Sequence, residues 1–233
     1  MYKAVFFDLY NTLARFHPPR EETQVNAARQ EGLDPDPDGI VRGYMAADRF
    51  MTEQNARFNI QKMTSEARHD FFTEYERLVL LGAGIEVSLE QAGRIWTLVR
   101  ETPSQLAPYD DVLPTLALLK ERQLTVGLIS NIYRDLDELC QNMGIAPFLD
   151  VTVSSMTAGA EKPHPPIFLA ALEKAGVRPE DAVHVGDQYE GDVVGARNVG
   201  IHPVLLDRDG VQDDHDDVER IRGLAELSAL VLD

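Results

Sequence analysis

The second half of the chain alternates short apolar stretches with helical patterns, and this alternation is the feature that most limits the possible fold. Apolar strand patterns lie at residues 124–129, 149–153, 182–185 and 203–206. A helical pattern precedes each of them, at residues 113–122, 134–143, 166–175 and 190–199. Three of these patterns end at a glycine, as helices that return to a parallel sheet do, namely Gly144, Gly176 and Gly200. The sequence therefore predicts an α/β fold with a Rossmann-like, doubly wound parallel sheet and right-handed crossovers.

A long helical block separates a first apolar strand pattern, residues 2–7, from the others. Its amphipathic stretches lie at residues 21–30, 38–59, 65–81 and 88–101. The last of these opens on Ser88 with Gln91 three residues later, which indicates a capping box. We expect residues 1–14 and 106–233 to form one α/β core and residues 15–105 to form an inserted helical cap.

Three shorter segments have less regular patterns. Residues 15–20 include Pro18 and Pro19 and are expected to form a linker. The acidic run 207–217 is expected to be a solvated loop to which we assign no function. Residues 218–232 are expected to add a last helix and a short edge segment.

Composition excludes several classes of partner. The sequence has 39 acidic and 22 basic side chains, so its net charge of −17 disfavours nucleic acid and membrane surfaces. The single cysteine, Cys140, rules out an internal disulfide and favours a cytoplasmic location, and its helical pattern predicts that it is buried. The sequence has no apolar run of eighteen residues and no signal-peptide pattern, so we expect neither export nor membrane insertion.

Polar side chains follow several of the predicted strands. Asp8 follows the first, Ser130 and Asn131 follow the second, and Asp187 follows the strand at residues 182–185. Lys162 lies in the turn after residues 149–153, and Asp192 follows Asp187 by five residues. Each has an ordinary explanation as a cap or a turn residue. Because the carboxyl ends of parallel strands share one edge of a sheet, we expect these side chains to converge there.

The order of these motifs resembles the haloacid dehalogenase-like hydrolase superfamily. The resemblance covers residues 2–13 and 106–206, and residues 161–168 followed by 185–192 are similar to its subfamily I. It implies that Asp8 is a nucleophile that forms a covalent aspartyl intermediate. It further implies that Mg²⁺ is bound by Asp8, the backbone carbonyl of Tyr10 and Asp187, with Asp192 close by. The implied catalytic residues are Asp8, Thr12, Ser130, Asn131 and Lys162. Among them, Thr12 orients the loop, Ser130 holds the phosphoryl oxygens together with backbone amides, and Lys162 offsets negative charge.

Tyr10 departs from the pattern of the family's phosphatases. They carry a second aspartate two residues after the nucleophile, where it protonates the leaving oxygen and later activates water. A phenol with an ordinary pKa of about 10 is a poor general base near neutral pH. We therefore expect slow hydrolysis of alkyl phosphates.

Three functions are open at this point, and we favour the first. It is Mg²⁺-dependent hydrolysis of a small phosphorylated metabolite, because Asp187 and Asp192 add negative charge that a cation would compensate. The second is metal-independent 2-haloacid dehalogenation, favoured by Tyr10, with a cationic pocket from Arg15, Arg20 or Arg42. The third is a catalytically weak binding or scaffold protein. The first two predict a small anionic substrate, and the sequence does not identify it or the oligomeric state.

Overall fold

The computed structural model describes residues 2–133, 136–210, 212 and 215–231. The chain divides into two compact units. One, here called the α/β unit, comprises Met1–Arg15 and Leu106–Asp233, and the other, the helical unit, comprises Phe16–Gln105.

The regular elements follow in chain order. The strands are β1 Ala4–Phe7, β2 Ala14–His17, β3 Gln105–Pro108, β4 Thr125–Ser130, β5 Val151–Ser154, β6 Ala182–Gly186, β7 His202–Leu206 and β8 Glu219–Ile221. The α-helices are α1 Arg20–Gln30, α2 Pro37–Arg57, α3 Ser65–Gly82, α4 Leu89–Glu101, α5 Val112–Glu121, α6 Leu136–Asn142, α7 Ser155–Ala158, α8 Pro165–Ala175, α9 Gly195–Arg197 and α10 Leu227–Val231. Single turns of 3-10 helix lie at Ile60–Lys62, Ala146–Phe148, Pro179–Asp181 and Leu224–Glu226, and a π-helix spans Tyr189–Val194.

The α/β unit is built on a six-stranded sheet in the order β5-β4-β1-β6-β7-β8. All its strand pairs are parallel. At the end of β1, Phe7 lies opposite Leu128 of β4 and Val185 of β6. The predicted doubly wound parallel sheet is confirmed, and Asp8 emerges at its centre.

Both faces of β1 are covered, which explains its unbroken apolar sequence. Val5 and Phe7 pack into one cluster, whereas Phe6 packs into another with Phe168 and Leu172 on the opposite face. The alternation follows from the two-residue period of a strand. Burial on both sides makes β1 a rigid support for the residue that follows it.

The helical unit contains α1 to α4. Helices α2 and α3 cross at backbone contact, since a Cβ added at Gly43 would lie 2.0 Å from the carbonyl oxygen of Val79. As predicted, Ser88 caps α4, and its hydroxyl accepts a hydrogen bond from the Gln91 amide at 3.2 Å. Among the described residues, no helix combines the length and apolar character needed to cross a bilayer.

Some expectations from the sequence were wrong. Part of the expected linker is strand β2, which pairs with β3 in a separate two-stranded sheet. A helix does cover most of residues 190–199, but it differs in type, because it consists of the π-helix followed by the single turn α9. Asp207, expected in a solvated loop, is only 2% exposed and lies 3.7 Å from Arg220. Of the helix expected at 134–143, the first two residues lie outside the described part of the chain.

Candidate active site

Three acidic side chains meet at the carboxyl edge of the central strands. Asp8 follows β1, and its amide donates to the carbonyl oxygen of Val185 at 2.9 Å. Asp187 follows β6, and Asp192 lies in the π-helix directly after it. One carboxylate oxygen from each of these aspartates lies within 4.8 Å of the other two. Sequence reasoning expected this convergence, and the structure contains it.

Lys162 lies between two of these carboxylates. Its Nζ donates to Asp8 Oδ1 at 2.5 Å and to Asp192 Oδ1 at 2.6 Å, and its side chain is 4% exposed. The Asn131 side chain holds the backbone of Lys162 through two hydrogen bonds. Its Oδ1 accepts from the Lys162 amide at 2.7 Å, and its Nδ2 donates to the Lys162 carbonyl at 3.0 Å. Asn131 therefore sets the position of the lysine.

Asp192 is held rigidly as the partner of that lysine. Its Oδ2 accepts from the Gln188 amide at 3.0 Å, and its Oδ1 lies 2.8 Å from His184 Nε2. Burial lowers the pKa of His184, so its ring is neutral near pH 7, and Nε2 is the donor because an ionised carboxylate can only accept. A Cβ added at Gly186 would lie 2.1 Å from Asp192 Cγ. Only glycine at position 186 leaves room for this carboxylate.

Burial and charge act differently on the three buried groups. Burial raises the pKa of Asp8 to about 6, although the Lys162 charge opposes the rise. Burial also acts to raise the pKa of Asp192, but Lys162 and His184 outweigh it and hold this pKa below its ordinary range. Burial acts to lower the pKa of Lys162, and the two aspartates outweigh that effect and raise it. The charge on Asp8 is therefore the least compensated of the three, and a further cation beside it would lower its pKa.

The loop after β1 is bent so that it contacts Asp187. Asn11 has a φ of 58°, a left-handed conformation that asparagine tolerates better than most residues. Its Nδ2 donates to Asp187 Oδ2 at 3.1 Å. Tyr10 forms an isolated β-bridge with Ala14, and its partly buried side chain packs against the core. The sharp turn therefore links the loop after β1 directly to Asp187 after β6.

Two hydroxyl groups at this edge of the sheet are buried. Thr12 and Ser130 are both fully buried, and among the described residues their side-chain oxygens have no hydrogen-bond partner. Ser130 ends β4, the neighbour of β1. Buried hydroxyls are normally satisfied, so these two indicate donors kept for a bound group.

The site chemistry fits a divalent cation together with an anionic substrate group. Three carboxylates lie close together here with one buried ammonium among them, so the cluster is rich in negative charge. Oxygen ligands of this kind suit Mg²⁺. Asp8 and Asp187 are the candidates for direct ligands, whereas Asp192 holds Lys162 and accepts from His184 and Gln188.

The sequence analysis missed the roles of two residues that contact the aspartates of the site, His184 and Asn11. His184 was expected to be a core residue, but it hydrogen-bonds Asp192 from within β6. A polar residue in an apolar strand two positions before the Gly186-Asp187 pair was the available signal. Asn11 was given no role, although an asparagine in a short loop is a common sign of a positive φ.

Comparison with known proteins now defines the class of protein. A family model described as haloacid dehalogenase-like hydrolase matches residues 2–200. The chain belongs to this family and is a hydrolase of that type.

Individual relatives support the same assignment. The glyceraldehyde 3-phosphate phosphatase of Methanopyrus kandleri is 31% identical over 217 residues, which are 91% of this chain and 87% of that protein. The crystal structure of a HAD phosphatase from Thermococcus onnurineus has a TM-score of 0.59 at 25% identity, and the match covers 98% of this chain and 97% of that one. The L-2-haloacid dehalogenase of Xanthobacter autotrophicus has a TM-score of 0.63 at 19% identity, covering 100% of this chain and 99% of that one, a likeness of fold alone.

Proposed function

We propose that the protein is a Mg²⁺-dependent phosphatase of small phosphorylated metabolites with Asp8 as its nucleophile. The observation that carries the proposal is the cluster of Asp8, Asp187 and Asp192, with the buried Lys162 bonded to Asp8 and Asp192. The relative with 31% identity, named as a glyceraldehyde 3-phosphate phosphatase, supports hydrolysis of a small phosphorylated metabolite, although the substrate in its name is an alkyl phosphate, the kind that Tyr10 disfavours in this chain.

Each residue of the site has a defined part in this proposal. Mg²⁺, held by Asp8, Asp187 and the Tyr10 carbonyl, would supply positive charge that offsets the approach of an anionic phosphoryl group. An Asp8 carboxylate oxygen forms a bond to phosphorus while the bond from phosphorus to the leaving oxygen breaks. Water then attacks phosphorus while the bond from phosphorus to the Asp8 oxygen breaks, which releases inorganic phosphate and regenerates the Asp8 carboxylate. The proton that the water gives up passes to the leaving group released in the first step or to bulk water.

The remaining polar groups would hold the transferring group. Lys162, protonated and fixed by Asp192, neutralises charge next to the nucleophile. The buried hydroxyls of Thr12 and Ser130 would donate to phosphoryl oxygens. Asn131 keeps the lysine in place through its two backbone hydrogen bonds.

Tyr10 determines which substrates react fast. With a phenol where the family's phosphatases have a carboxylic acid, the leaving oxygen departs without efficient protonation. Acyl and aryl phosphates have leaving groups that need little protonation, so they are the preferred substrates in this proposal. Alkyl phosphates should react more slowly by about 10²-fold or more.

The test compares acetyl phosphate and 4-nitrophenyl phosphate with an alkyl phosphate, each with Mg²⁺ and with excess EDTA. We expect turnover of the first two only with Mg²⁺, and none in Asp8→Asn. Undiminished rates in EDTA, or an active Asp8→Asn protein, contradict the proposal.

Tyr10 also favours a second candidate, 2-haloacid dehalogenation, because a halide leaves without a proton. The cations that it would need are already engaged. Arg20 donates to Asp48 at 2.8 Å. Arg15 lies 3.6 Å from Asp110, and Arg42 lies 3.8 Å from Asp36. Chloride release from 2-chloropropionate in EDTA would establish this activity instead.

A further inference from the structure

The segment that follows β7 was expected to be a solvated loop without a function. Instead, Arg208 at its start is largely buried, with 14% of its side chain exposed. Its Nη2 donates to the carbonyl oxygen of Thr12 at 2.8 Å. This hydrogen bond joins positions 196 residues apart and ends on the loop that carries the proposed nucleophile.

Arg208 is itself held firmly. Its Nη1 and Nη2 each donate to one Asp111 oxygen at 3.0 Å, which is the two-bond fork that guanidinium forms with a carboxylate. Its guanidinium lies 4.0 Å from the centre of the Tyr109 ring. Asp111 also accepts from the Leu224 amide at 2.9 Å. The hydrogen bond to Thr12 therefore comes from a fixed donor rather than from a mobile side chain.

The same segment reaches the other catalytic loop four residues later. Gln212 Nε2 donates to the carbonyl oxygen of Asp187 at 2.9 Å. Its own amide donates to Asp207 Oδ2 at 3.3 Å. The first contact holds the backbone of Asp187, the residue proposed as a metal ligand, and the second holds Gln212 itself in place.

We propose that Arg208 and Gln212 are positioning residues that hold the two catalytic loops in register with each other. Arg208 holds the loop of Asp8 through Thr12, and Gln212 holds the loop of Asp187 through its carbonyl. The proposal rests on the proposed function, in which one loop supplies the nucleophile and the other supplies a metal ligand, and both must lie next to the same substrate. Neither residue touches the reacting atoms in this account, so both act through the backbone.

Loss of the Arg208 side chain should lower the catalytic rate strongly, because catalysis is sensitive to small displacements of the reacting groups. A misplacement of about 1 Å can cost about 10²-fold in rate. We expect Arg208→Met to lower kcat for 4-nitrophenyl phosphate by about 10²-fold while KM changes by less than about threefold. Arg208→Lys keeps the charge but lacks the planar fork, so it should restore little of the lost rate.

Gln212→Ala should act on the metal rather than on the nucleophile. Loss of a partner that orients a metal ligand typically lowers metal affinity by about 10- to 100-fold. We expect the Mg²⁺ concentration for half-maximal activity to rise by at least about tenfold. The rise in unfolding temperature that Mg²⁺ produces should shrink in parallel, which measures binding without turnover.

The deciding experiment measures hydrogen exchange by mass spectrometry as well as kcat in the full-length protein. Arg178→Met is the matched control, because Arg178 forms a similar fork with Asp181 at 3.0 Å and 3.2 Å on an exposed surface. In Arg208→Met, amides in residues 8–14 should exchange at least tenfold faster than in the control. If Arg208→Met does not fold, Asp111→Asn loosens the same fork and should change exchange and kcat in the same direction.

The outcomes separate the two proposals. Unchanged exchange in residues 8–14 together with an unchanged kcat in a folded Arg208 variant overturns the positioning role. A wild type without phosphatase activity overturns the proposed function, and the exchange measurement still decides whether Arg208 orders the loop. Full rescue by Arg208→Lys also overturns the proposal, because a role of charge alone would explain it.

Discussion

Glu76 lies in the interior of the helical unit, and its replacement by glutamine should stabilise the protein at alkaline pH. The side chain is 1% exposed and accepts a hydrogen bond from Gln24 Nε2. Burial raises the pKa of its carboxyl from 4.5 to about 7, although the hydrogen bond from Gln24 opposes the rise. The fold therefore prefers the neutral form.

The sign and size of the effect follow from the linkage between protonation and folding. Because the folded pKa lies above the unfolded one, the stability that the neutral carboxyl provides is complete below pH 4.5 and is lost as the pH rises to about 7. A folded pKa of about 7 against an ordinary pKa of 4.5 corresponds to a loss of about 3 kcal/mol at pH 8, of which under about 1 kcal/mol is lost by pH 5. Glutamine cannot ionise, so Glu76→Gln should escape the loss.

The measurement is urea unfolding at pH 5 and pH 8, followed by circular dichroism. Glu76→Gln should resemble the wild type at pH 5 and exceed its unfolding free energy by about 3 kcal/mol at pH 8. Glu90→Gln is the matched control, because the Glu90 side chain is 88% exposed in the same unit. A difference between Glu76→Gln and wild type that is equal at both pH values would refute the reasoning.

Three further predictions concern the α/β unit. Lys162→Met leaves Asp8 and Asp192 buried without their shared cation, so without Mg²⁺ the unfolding free energy should fall by about 3–5 kcal/mol, and kcat should also fall. Urea unfolding of the wild type and of Lys162→Met, each with and without Mg²⁺, measures the change in unfolding free energy. Gly186→Ala places a Cβ 2.1 Å from Asp192 Cγ, so kcat should fall at least tenfold in a folded protein, as steady-state assays would show. Tyr10→Asp restores an acid at the leaving oxygen and should raise the rate on alkyl phosphates by about 10²–10⁴-fold.

Each of these has a result that would contradict it. Equal stability of Lys162→Met and of Lys174→Met, which changes an exposed lysine, would mean that the buried ion pairs do not hold the site together. A fully active Gly186→Ala protein would show that Asp192 can move. A Tyr10→Asp protein that is no faster on alkyl phosphates would favour the scaffold interpretation if the wild type is also inactive.

Local patterns were sufficient for most of the fold. Phe6 and Phe7 point to opposite, equally buried faces, and such strands read as continuous apolar runs. Ser88 followed by Gln91 located the start of α4 because a cap acts within one turn. The common edge for Asp8 and Asp187 followed from the parallel sheet alone.

Features that depend on distant parts of the chain were not predictable in this way. Strand β2 exists because residues 14–17 pair with residues 105–108, and four-residue strands have little pattern of their own. Arg208 reads as part of a charged run, and only the folded chain places its guanidinium against Asp111 and the Thr12 carbonyl. His184 was assigned to the core because burial is encoded locally, whereas its contact with Asp192 is not.

The most direct test of the central claim is a crystal structure of the protein grown with Mn²⁺ in place of Mg²⁺, with anomalous scattering to locate the metal. We expect one strong peak within about 2.2 Å of carboxylate oxygens of both Asp8 and Asp187, with Lys162 still bound to Asp192. A crystal saturated with Mn²⁺ that shows no peak between those two carboxylates would contradict the account.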